Sequence, residues 1–205
     1  MSRRVVITGL GPVSSIGIGI EPTWQAVTEG YSGIDTITAF DASGFDCHIG
    51  GQVKDFSVRK LVPKTYRKAT NVTARDIELD VGAADLAARD AALLTKGTHP
   101  DQTPSYTPDR VGAHIGAGLI ATDLDELTAA LVEATDSQKA FDIHRWGQEG
   151  MKHLTPLWLL KYLPNMLACH VTIIHDAQGP SNTITCGETS GTLSVGESLR
   201  VIQRG

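Results

Sequence analysis

Residues 179–191, GPSNTITCGETSG, constrain the fold of this chain more than any other stretch. Asn182 to Cys186 reads as a short strand. A tight turn of small residues follows at once, and then a helix. A strand–turn–helix elbow of this kind holds one side chain at the first turn of a helix. There the unpaired backbone N–H groups and the helix dipole favour negative charge. The side chain held at this elbow is Glu188, and the sequence stops 17 residues later, at Gly205.

A chain of 205 residues can bury one sizeable core. Its hydrophobic share of 41% and charged share of 20% are those of an ordinary globular protein. A net charge of −5 argues against a nucleic-acid partner. The densest basic run, Lys60 to Lys68, reads as a solvated face. Cys47, Cys169 and Cys186 are unevenly spaced and form no CxxC pair, which fits a reducing, cytoplasmic location. The apolar run after Arg3-Arg4 is short and broken by Gly9 and Gly11, so no signal peptide is expected. No apolar stretch is long enough for a membrane span.

Strand and helix patterns alternate along the chain. Arg4 to Leu10 is rich in Val and Ile and reads as a buried strand. Glu21 to Glu29 reads as a short helix with Pro22 near its start and Gly30 after its end. Asn71 to Leu94 is the longest helical pattern, with Val81, Ala84, Ala88 and Ala91 on one face and Asn71 as a cap. Lys96 to Asp109 reads as a surface loop. Arg110 to Leu119, RVGAHIGAGL, is a second buried strand ending in glycines. Helices are expected over Thr122 to Thr135, over Pro164 to Asp176 and from about Glu188 to Arg204, with an irregular polar stretch from Ala140 to Thr155. The order points to an α/β domain with a partly parallel sheet.

Three motifs invite a chemical reading. Gly9-Leu10-Gly11 follows a strand, as in dinucleotide sites, but position 14 is Ser and Pro12 interrupts the turn. A glycine-permitted turn is the simpler reading. The seven histidines lack ligand spacing, so no metal or other cofactor is expected. Gly187 to Gly191 superficially fits GxSxG, yet its central residue is Thr189.

Several ordered motifs together resemble one family. RRVVITGLGPVSSIG, VGAHIGAGL, LPNMLACHVTIIHDAQGPSNTIT and TSGTLSVGESLRVIQRG are similar, in this order, to the N-terminal half of the β-ketoacyl-acyl-carrier-protein synthases. These are the condensing enzymes of fatty-acid and polyketide synthesis. The resemblance implies an α/β, thiolase-like fold, of which residues 1–205 form a single N-terminal half: a helix-flanked mixed sheet with a central buried helix. It further implies an acyl carrier protein as partner and a dimer, either of two copies or with a ketosynthase or a separate C-terminal half.

In the family a nucleophilic Cys follows the serine of GPS by seven positions. Seven residues after Ser181 stands Glu188, followed by Thr189, Ser190 and Gly191. Cys186 lies two positions early and reads as an ordinary buried cysteine. The resemblance places Leu119, Trp158 and Leu159 on an acyl tunnel; plain packing is the alternative for each. The family's catalytic histidine pair belongs to its C-terminal half, and none of the seven histidines here matches it. A carboxylate cannot hold an acyl chain as a thioester, so condensation by this chain alone is not expected. Chain-length factors of aromatic polyketide systems carry Gln at this position and act as non-acylated subunits. A chain-length-factor-like subunit is therefore one expectation. A malonyl-decarboxylating acyltransferase assembled from split halves is another, and a non-catalytic scaffold for carrier protein or synthase is a third. Glu188 acting only as a helix cap also stays open. A half without its mate should expose an apolar face around Leu193, Val195, Leu199 and Val201.

Overall fold

The computed structural model describes residues 3–205, the side chains of 71 and 72 excepted. Two small antiparallel ribbons open the chain. β1 (Val13–Ser14) pairs with β2 (Gly17–Ile18), and after α1 (Ile20–Thr28), β3 (Ile34–Thr36) pairs with β4 (Ile49–Gly51). The long helix α2 (Arg75–Asp90) leads to β5 (His114–Ala117), α3 (Leu124–Glu133) and a short α4 (Ile143–Gln148). α5 (Asn165–His175), β6 (Asn182–Thr185) and α6 (Ser190–Arg204) complete the order. β5 and β6 pair in parallel, His114 opposite Asn182 and Ala117 opposite Thr185.

Helical spacing builds the core. α2 buries Ile77, Val81 and Asp85 at intervals of four, and α5 buries Leu167, Val171, Ile174 and His175. These two helices pack on each other, and α5 packs on β5 and β6. Val58, Val62, Ala113, Ala117, Ile120 and Tyr162 close the same cluster. α6 lies against β5 and β6 on one side only. It buries Ser190 and Ser194 there and exposes Leu193, Val195 and Leu199; Val201 is half-buried.

Four local expectations change. Arg4 to Leu10 forms no paired strand: Val6 and Ile7 are exposed, and Leu10 N–H donates to the Asp90 carboxylate at 2.9 Å. Its glycines instead press on α2. A Cβ on Gly9 would sit 2.4 Å from the Ala87 carbonyl oxygen, and one on Gly11 would sit 2.1 Å from that of Ala83. Close helix contact, not a phosphate, explains the Gly-Leu-Gly motif. α2 begins only at Arg75, after Ala74 at the cap; Asn71 lies one short 3₁₀ turn earlier and its side chain is outside the described residues. The stretch 140–155 is not wholly irregular, because Asp142 caps α4 by accepting from the N–H groups of His144 and Arg145. Cys186, expected to be buried, is exposed, since β6 ends at Thr185 and its last residue already turns outward. The basic run Lys60, Lys64, Arg67 and Lys68 is exposed, as expected. Among the described residues no helix is long and apolar enough to cross a membrane.

Candidate functional site

The elbow begins with the register of its strand. Ala113 N–H donates to Ser181 Oγ at 3.0 Å, and Asn182 N–H donates to the Ala113 carbonyl at 3.0 Å. The serine of the GPS motif thus ties β6 to β5 before the turn. At the far end the chain leaves β6 through Cys186 and passes Gly187 at φ +56°. A 3₁₀ turn, Gly187–Thr189, then feeds directly into α6.

Hydroxyls hold this turn. Ser190, 4% exposed, accepts from the Cys186 N–H at 2.8 Å and donates to the Gly187 carbonyl at 2.6 Å. Thr189 Oγ1 donates to the Cys186 carbonyl at 2.8 Å. Glu188 does neither of these things. It is exposed and, among the described residues, accepts no hydrogen bond and forms no ion pair, and no side chain caps α6. No capping hydrogen bond from the Glu188 side chain to the start of α6 is present among the described residues. Ser190→Ala should strand the Cys186 N–H and cost ~1–2 kcal/mol. Urea denaturation of the variant checks this; an unchanged midpoint would mean the hydroxyl is dispensable.

β5 supplies the surface on which the elbow rests. A Cβ on Gly116 would lie 2.4 Å from Gly191 N and 2.4 Å from Ser190 C. The first turn of α6 therefore sits directly on the strand backbone. Sequence reading singled out Glu188 and passed over Ser190 and Gly116. The signals were present: a serine at the helix start, and a glycine inside a strand of small residues, HIGA.

Leu119 follows the carboxyl end of β5, as the elbow follows that of β6, so both stand at the same end of the parallel pair. Its side chain is 90% exposed. Trp158 is half-buried against the core, its ring centroid 5.6 Å from that of Tyr162. Leu159 beside it is exposed. Tyr162 connects the two regions: its hydroxyl accepts from Asp123 N–H at 3.2 Å and donates to Glu126 at 2.8 Å. Lys161 pairs with Glu126 and, as a donor, holds that carboxyl below the usual range. Leu119, Trp158 and Leu159 line neither of the two cavities beside the β5–β6 pair.

His114, His170 and His175 lie elsewhere or are engaged. His114 stands opposite Asn182, at the other end of the strand pair from the elbow. His170 Nδ1 is 2.5 Å from the Tyr66 hydroxyl, and His175 Nδ1 is 2.7 Å from Thr95 Oγ1. Burial lowers the pKa of both rings, favouring neutral imidazole. Among the described residues no histidine is hydrogen-bonded to Cys186, Glu188 or Thr189, and no group of three or more potential ligands could hold a metal ion.

Known proteins share this architecture. The family model for the beta-ketoacyl synthase N-terminal domain matches residues 2–205. The 3-oxoacyl-[acyl-carrier-protein] synthase 2 of Staphylococcus aureus (strain COL) is 28% identical over 204 residues, which cover 100% of this chain and 43% of the relative. That of Vibrio harveyi is 30% identical over 204 residues, 99% of this chain and 43% of the relative. The chain thus spans less than half the length of these curated relatives. Among solved structures, the ishigamide ketosynthase/chain length factor superposes with a TM-score of 0.71 at 25% identity, over 100% of this chain and 45% of that one. A beta-ketoacyl synthase from Burkholderia phymatum STM815 superposes at 0.72 with 19% identity, over 100% of this chain and 44% of that one, a likeness of fold. With its thiolase-like α/β fold and a family match along nearly its whole length, the chain belongs to the β-ketoacyl synthase family, as an N-terminal domain.

Proposed function

We propose that this chain serves fatty-acid or polyketide synthesis as a chain-length-factor-like, non-acylated subunit and does not condense acyl groups alone. One observation carries the reading: Glu188, seven residues after Ser181, stands at the exposed elbow with no hydrogen-bonding partner among the described residues. A free carboxylate there can neither hold a thioester nor draw on a hydrogen-bonded histidine to move protons. The likeness to a ketosynthase/chain length factor supports the same reading.

The exposed Leu193, Val195 and Leu199 of α6 fit an interface with a ketosynthase, a second copy or a separate C-terminal half. The relatives' name supports an acyl carrier protein as the substrate-bearing partner. Three cysteines without a disulfide among the described residues fit a cytoplasmic setting.

The test is incubation with malonyl- and acyl-loaded carrier protein, with and without a ketosynthase partner. The expected result is no acyl adduct on this chain by mass spectrometry and a change in the partner's product length when this chain is added. An acyl adduct on Cys186, which is exposed, would overturn the assignment of position 188. Malonyl decarboxylation abolished by Glu188→Ala would favour an enzyme assembled from halves. Carrier binding with unchanged products would favour a scaffold.

A further inference from the structure

We draw no further inference here: the strongest candidate, the exposed apolar stripe of Val195, Leu199 and Ile202 along α6, carries none because nothing in the structure shows what covers it.

Discussion

Gly116→Val is expected to lift the first turn of α6 from β5 and to lower stability by ~3 kcal/mol or more. The obstruction is backbone: an added Cβ would meet Gly191 N, Ser190 C and Gly191 Cα at 2.4–2.5 Å. Flexible side chains can turn aside, but a helix N-terminus clamped by Ser190 cannot move without breaking the bonds to Cys186 and Gly187. The loss should therefore appear both in a urea midpoint and in faster proteolysis after residue 186. Gly196, further along the same helix, is the control, because an added Cβ meets nothing within 4 Å. Gly196→Ala should stabilise by ~1 kcal/mol through helix propensity alone. If both substitutions had the same sign, the close seating of helix on strand would be refuted.

Asp80→Asn is expected to stabilise the chain by ~2 kcal/mol at pH 8 and to do nothing near pH 4. Asp80 lies on α2 with its Oδ2 buried and without a hydrogen-bond partner among the described residues. Burial raises its pKa from 3.8 to about 6. The folded chain therefore binds the Asp80 proton more tightly than the unfolded chain. That contribution is fully present below pH 3.8 and is lost as pH rises through about 6. Above it, the fold carries an unpaired buried carboxylate, which the amide removes. His170 and His175 act in the opposite sense, since burial lowers their pKa values and their protonation on acidification favours unfolding. Comparing variant with parent at each pH cancels the histidines. A gain of equal size at pH 4 and pH 8 would show that the charge on Asp80 is not its origin.

The local patterns of this chain were legible wherever periodicity or punctuation was strong. The two strands that pair in parallel, the helix after each glycine stop and the elbow between Thr185 and Ser190 follow from residue types within a few positions of one another. Ser at position 14 and Pro12 inside the turn argue against a dinucleotide reading of Gly9-Leu10-Gly11, and the contact with α2 supplies the glycines' purpose. Asn71 misled because capping residues are also common in ordinary turns. Arg4 to Leu10 has strand composition, but a strand exists only with a neighbour to receive its hydrogen bonds, and its neighbours are α2 and solvent.

The residues of the elbow themselves determined that Glu188, not Cys186, stands seven positions after Ser181, and that the chain carries an ordered series of family motifs. Tertiary structure alone decided what surrounds that position. It placed Gly116 beneath the helix, Leu119 at the same sheet end and His114 at the opposite one. It also left Cys186 exposed and Glu188 without a hydrogen-bonding partner among the described residues. The division has a physical cause. A turn is specified by neighbours along the chain, whereas burial and hydrogen-bond partnership depend on segments 68 to 104 residues apart that meet only once the core has formed.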